Sequence, residues 1–361
     1  VVADIEEGAA GLEKALRSGK QVIVVTLQTF PHVAEAVRER GGESFAVIID
    51  EAHSSQTGEY RKHLNDTLSA SSLDEAEKED EVEMDTEDRI REEIRKRGRQ
   101  PNVSNFAFTA TPKPKTLELF GEEQDDGSHE PFDLYSMRQA IEEDFILDVL
   151  DNYTTYDDYF RLLKKIEDDP KYDAAKASRM LQSYVSAHEQ TIAQKVEIMV
   201  EHFAQNVSGR IGGEAKAMIV TRSRLHAVRF KQALDRYLEE ENYPYESLVA
   251  FSGTVEDRGV EHTERSMNDG LPTSRTAQTF KQGDYRFMVV ANKFQTGFDE
   301  PLLHTMYVDK KLGGVNAVQT LSRLNRTHPQ KEETIVLDFE NEKEKIEKAF
   351  EPYYEKTTLS E

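Results

Sequence analysis

The sequence predicts an α/β protein with two doubly wound parallel sheets, the first of them N-terminally truncated, joined by a helical connection. Three observations carry that prediction. Apolar runs such as Phe45-Ala46-Val47-Ile48-Ile49 and Ala217-Met218-Ile219-Val220 lack the polar alternation of a half-exposed strand, as in sheets covered on both faces. Such runs alternate with segments of helical periodicity in two separate series. Several of them end in polar residues, where the ligands of parallel sheets gather.

In the first series Ala9, Leu12 and Leu16 fall at helical spacing, and Gly19 follows where a left-handed C-terminal cap would sit. Residues 21–25 are a β-rich run with Thr26 at the tip, and Pro31 opens a helix reaching about residue 40. The strand that ends at Asp50 comes next. Nothing ahead of the first helix reads as an opening strand, so the first sheet is expected to be truncated. Residues 73–99 shift to dense charge, acidic first and basic last, and read as a solvated insertion, with a DNA-touching basic end as the alternative. Residues 105–108 return to a buried strand, and 121–130 form a polar loop. Residues 135–150 read as a helix with Met137, Ile141, Phe145 and Val149 on one face. The whole stretch 135–207 is expected to be the connection, its aromatics belonging to a core rather than to a base-stacking platform.

In the second series, strands at 217–220, 247–251, 286–290, 304–308 and 334–339 alternate with helices at 225–238, 276–281 and 314–326. The expected domains are therefore residues 1–134, the connection 135–207, a second domain 208–340, and the start of a C-terminal helical region at 341–361.

With 361 residues, 37% of them apolar, the chain can build two cores. Its net charge of −23 repels anions over most of the surface, so any nucleic-acid contact must be local. The absence of Cys excludes disulfides and thiolate metal sites and fits a cytoplasmic protein. No apolar run approaches membrane-spanning length, and no signal-peptide order opens the chain.

The chemistry begins at Asp50-Glu51-Ala52-His53. Two adjacent acids on a strand tip suit Mg²⁺ and a nucleotide, one carboxylate holding the metal and the next orienting a water. They equally suit an acidic turn that caps the next element. Later motifs follow in order: Thr109-Ala110-Thr111, Thr221-Arg222-Ser223, Thr296-Gly297-Phe298-Asp299, and Gln319-Thr320-Leu321-Ser322-Arg323-Leu324-Asn325-Arg326.

That ordered set resembles the superfamily 2 helicase and translocase motor, in which two RecA-like domains face each other across ATP. Longer stretches at 49–56, 108–115, 135–143 and 319–327 narrow the resemblance to the R subunit of type I restriction enzymes, over residues 11 to about 338. The resemblance implies roles. Asp50 would hold Mg²⁺ and Glu51 would activate the attacking water, while Arg323 and Arg326 would act as arginine fingers from one helix face. His53, Gly297, Asp299 and Gln319 would meet ATP, and Thr109 and Thr111 would couple nucleotide state to the neighbouring domain. Thr26, Arg222, Ser252 and Thr296 would contact DNA phosphates, although Ser and Thr at strand tips also cap helices. Double-stranded DNA and the methyltransferase and specificity subunits are the implied partners. Another superfamily 2 helicase and a non-catalytic docking module are the alternatives.

Two departures matter. The chain holds no Gly-x-x-x-x-Gly-Lys-Ser/Thr. The resemblance places that phosphate-cradling loop upstream of Val1, so a fragment inactive by itself is expected. Ser322 stands where many superfamily 2 motors carry Gly. Glu214-Ala215-Lys216 has a nuclease-like spacing but no accompanying upstream Asp, and reads as structural.

Overall fold

The structure is a computed structural model of the chain that describes residues 2–4, 8–25, 43–50, 103–112, 114–159, 192–295 and 297–354. These fall into two compact units, one ending at Leu134 and the other running from Tyr135 onward.

The first unit opens with β1 (Val2–Asp4), α1 (Gly8–Arg17) and β2 (Val22–Val24). β1 and β2 pair in parallel, Val2 opposite Val22, so the three elements form a β-α-β crossover. β1 corrects the expectation that no strand precedes the first helix; three residues are too few for periodicity to show. α1 ends where Gly19 was expected to cap it. Gly19 sits at φ +66°, its N–H donates to the Leu16 carbonyl at 3.2 Å, and the Lys20 N–H donates to the Ala15 carbonyl at 3.2 Å. That double closure satisfies the last carbonyls and needs a left-handed residue, which costs about 1–2 kcal/mol for anything with a Cβ.

β3 (Phe45–Asp50) and β4 (Val103–Phe108) pair in parallel, Asp50 opposite Phe108. Here the expected burial on both faces is not met: Ile48 is 69% and Phe108 59% exposed, while Ile49 on the other face is buried. Parallel sheets are covered on the second face by crossover helices, and the helix expected at 31–40 lies outside the described residues, as does the charged insertion. The unit closes with α2 (Pro114–Phe120) and a short hairpin, β5 (Glu122–Glu123) and β6 (His129–Glu130), inside the stretch expected to be a loop.

The second unit contains, in order, α3 (Met137–Glu142), β7 (Tyr153–Thr155), α4 (Ile192–His202), β8 (Lys216–Thr221), α5 (Arg224–Glu240) and β9 (Glu246–Ala250). It continues with β10 (Thr254–Asp257), β11 (Val260–Thr263), α6 (Glu264–Met267), α7 (Thr276–Phe280) and β12 (Tyr285–Val290). Last come β13 (Leu303–Asp309), α8 (Gly314–Leu321), β14 (Ile335–Asp338) and α9 (Lys343–Tyr354). Six strands make one parallel sheet in the order β7-β14-β13-β8-β12-β9. Runs such as Ala217–Val220 and Phe287–Val290 are apolar because both faces are buried. Ala217, Ile219, Phe287 and Val289 enter a core with α4 and α5, and Met218, Val220, Met288 and Val290 enter a second core with α7, α8 and α9. Among the described residues no helix is long and apolar enough to cross a membrane.

Three expectations change here. The helix expected over 135–150 is confined to α3: the Ser136 hydroxyl caps its start by accepting the Gln139 N–H at 3.1 Å, and Asp144 at φ +55° turns the chain away. Phe145 is consequently 70% exposed. The stretch expected to be only a connection supplies edge strand β7 and helix α4 to this unit. Tyr153 is fixed there by a 2.6 Å hydrogen bond from its hydroxyl to Asp338. Finally, the helix expected over 314–326 ends at Leu321. The N–H groups of Arg323, Leu324 and Asn325 bond three residues back instead of four, so the chain tightens into a turn. Arg323 and Arg326 therefore sit on this turn and not on a helix face.

Buried histidines couple this unit's stability to pH. His202 is 5% exposed, with Nδ1 2.8 Å from the Tyr307 hydroxyl, and burial pushes its pKa down from 6.5 to about 4. Between those values the unfolded chain binds a proton that the folded one refuses, so stability falls as pH drops through that window. The shift corresponds to about 3 kcal/mol once both states are protonated. His202→Gln is expected to flatten the fall in urea midpoint between pH 6.5 and 4, measured against wild type.

Candidate functional site

Of the residues singled out from the sequence, Thr26, Glu51, His53 and Thr296 lie outside the described residues. The others fall into separate groups.

In the first unit, Asp50 is the last residue of β3 and is exposed, so a paired, register-fixed strand delivers its carboxylate to a rigid tip. An exposed carboxylate at a strand tip is a hard oxygen donor of the kind Mg²⁺ takes alongside water. Among the described residues there is no group of three or more His, Cys, Asp or Glu that could hold a metal ion. At the neighbouring tip of β4, the Thr109 hydroxyl accepts the Thr111 backbone N–H at 3.1 Å, and Thr111 is buried. The two threonines close a local turn of the kind hydroxyls favour.

In the second unit the structure gathers five of the expected residues. Gly297, exposed and at φ +67°, turns the segment that follows β12, and a Cβ there would meet nothing within 4 Å. Arg323 donates from Nη1 to the Phe298 carbonyl at 3.3 Å and from Nε to the Gln319 carbonyl at 3.2 Å. Arg326 donates from Nε to Asp299 Oδ1 at 2.9 Å. Both guanidiniums thus converge on one short segment although they left the helix that was expected to align them. Their settings differ. Arg323 is only 8% exposed and is anchored on carbonyls. The Arg326–Asp299 pair is well exposed, and such pairs contribute about 0–1 kcal/mol, so Arg326 exchanges partners at little cost.

The sequence reading missed what holds this turn. Lys331 is 5% exposed, and its ammonium donates to the carbonyls of Leu303 at 2.7 Å, Leu324 at 2.6 Å and Arg326 at 2.9 Å. Three donors meet three acceptors, which pins the arginine turn to the start of β13. Burial lowers the Lys331 pKa to about 7. No short-range pattern marks this residue.

The expected DNA-contact residues lie in two other places on the C-terminal edge of the sheet. Arg222, just after β8, pairs with Glu340 and lies 3.7 Å from Asp309. Lys195 of α4 joins the same two acids, 3.2 Å from Glu340. Ser252 is exposed just after β9. The nuclease-like Lys216 is buried and donates to the carbonyls of Gln282 at 3.0 Å and Tyr285 at 2.7 Å, a structural use.

Comparison with known proteins identifies the family. The family model for type I restriction enzyme subunit R domain 3 matches residues 159–341, and the SWI2/SNF2 ATPase model matches residues 3–183. The type I restriction enzyme HindI endonuclease subunit of Haemophilus influenzae is 23% identical over 317 residues, 79% of this chain and 25% of that subunit. The SauCOLORF180P endonuclease subunit of Staphylococcus aureus is 23% identical over 259 residues, 63% of this chain and 27% of its own length. Among solved structures, the ATP-dependent Type ISP restriction-modification enzyme LlaBIII bound to DNA aligns with a TM-score of 0.43 and 14% identity, covering 93% of this chain and 22% of that one. The chain spans about a quarter of the length of the two curated relatives. Between them the two family models cover residues 3–341, and the chain belongs to the R-subunit family of type I restriction enzymes, with a SWI2/SNF2-type ATPase region.

Proposed function

We propose that this chain is the motor region of a type I restriction endonuclease, which turns ATP hydrolysis into movement along double-stranded DNA. The observation that carries the proposal is the convergence of Arg323 and Arg326 on Phe298 and Asp299, because charge placed beside a nucleotide segment is what phosphoryl transfer requires of a protein.

In this reading hydrolysis draws on both units. Asp50 would hold Mg²⁺, which supplies charge neutralisation on the phosphates when bound. Glu51 orients the attacking water and takes its proton, and Arg323 and Arg326 stabilise the charge on the transferred group. Gly297, Asp299, Gln319 and His53 meet the nucleotide. Thr109 and Thr111 pass its state onward, their turn resetting with the tip of β4. Thr26, Arg222, Ser252 and Thr296 meet DNA phosphates, where Arg222 exchanges its carboxylate partners for phosphate. The methyltransferase and specificity subunits are the protein partners, and the work takes place in the cytoplasm. This chain by itself turns ATP over negligibly, since its sequence contains no phosphate-cradling loop. Displacement of a triplex-forming strand from duplex DNA by the intact polypeptide tests the proposal.

A further inference from the structure

The Glu264 carboxylate is 1% exposed and fully engaged. Its oxygens accept the Phe251 backbone N–H at 3.0 Å, the Thr276 hydroxyl at 2.6 Å, and the Lys293 ammonium at 2.9 and 2.7 Å. Phe251 directly precedes Ser252, and Lys293 lies in the loop after β12 that leads to Thr296 and Gly297. A buried ion pair is no better for stability than well-packed apolar side chains of the same volume, so stability alone does not account for a charge here. The loop itself points to a different use. Lys293 is flanked by two non-glycine residues in the left-handed region, Asn292 at φ +59° and Phe294 at φ +65°. Such backbone persists only where its surroundings hold it, and it gathers at binding and switching segments. The surroundings are visible: Lys293 is gripped by Glu264, and the Asn292 side chain accepts from Lys310 Nζ at 2.6 Å.

We infer that Glu264 is a positioning residue that joins the Ser252 turn to the loop that leads from β12 to Thr296, so that two otherwise separate loops present themselves to DNA as one surface. The inference rests on the proposed reading of these loops as DNA contacts. Losing the link leaves each loop to find its DNA-bound shape independently, and the ordering cost falls on DNA binding and not on ATP binding.

The test uses the intact polypeptide that carries this chain, with duplex DNA and ATP. Glu264→Gln keeps an acceptor for the Phe251 N–H and removes the charge that holds Lys293. The DNA concentration giving half-maximal ATPase is expected to rise about tenfold, with KM for ATP changed less than twofold. Lys293→Met breaks the same link from its more exposed end, which keeps the test available if Glu264→Gln fails to fold. It should reproduce the split, and the double variant should be no worse than either single one. An unchanged DNA requirement in both variants, or a joint loss of kcat and KM for ATP with DNA binding intact, overturns the inference while the function reading stands. A wild-type protein that neither binds duplex DNA nor is stimulated by it overturns both.

Discussion

Glu51→Gln in the intact polypeptide is expected to lower DNA-stimulated ATP turnover by about 10²–10⁴-fold while leaving its unfolding transition in place. The substitution keeps the shape of the side chain and removes the base proposed to take the proton from water. Strand β3 ends in the acid before it, and its register with β4 does not depend on the charge at the tip. Asp50→Ala should lose turnover as well, and there added Mg²⁺ should recover part of it, because a weakened metal site fills by mass action. Steady-state ATPase assays across a Mg²⁺ series distinguish the two. Equal recovery in both variants contradicts the division of labour between the two acids.

The second large effect belongs to the arginines. Arg326→Ala is expected to cut turnover by about 10³-fold, the low end for an arginine finger. Its loss of folding stability should be no more than about 1 kcal/mol, since its ion pair with Asp299 is exposed. Arg323→Ala should also cut turnover but cost about 1–3 kcal/mol of stability, because it strips a buried donor from the Phe298 and Gln319 carbonyls. Turnover and urea midpoint measured together read this contrast. Equal stability losses contradict the distinction drawn from their burial.

What the sequence revealed, and what it hid, follows from the range of the forces involved. Five of the six strands of the second sheet, all but β7, were legible because burial on both faces imposes continuous apolar runs, as in Met288-Val289-Val290. Gly19 was legible because a helix cap is local chemistry. The end of α8 was not: residues 314–326 keep an apolar pattern past Leu321, and the turn is fixed by Lys331, which reaches carbonyls of Leu324 and of distant Leu303. β7 was hidden for a related reason, since Tyr153-Thr154-Thr155 becomes a strand only by pairing with Val336-Leu337-Asp338 across the chain. The candidate site divides the same way. Motif order marked Arg323, Arg326, Gly297 and Asp299, and the structure gathers them. Glu264 and Lys331 carry no motif, because their partners lie up to 29 residues away in the chain. In the first unit Asp50 stands at the expected strand tip, while the alternating exposure of Ile48 and Ile49 departs from the run that announced it.

ATP hydrolysis by this family member is proposed to move double-stranded DNA. That movement is measured by displacement of a fluorescent triplex-forming strand from a duplex by the intact polypeptide, together with the methyltransferase and specificity subunits proposed as its partners, scored beside separation of a short duplex. The account predicts ATP-dependent loss of the third strand, abolished by Glu51→Gln, with the two duplex strands remaining paired. Separation of the duplex strands without displacement of the third strand would contradict it.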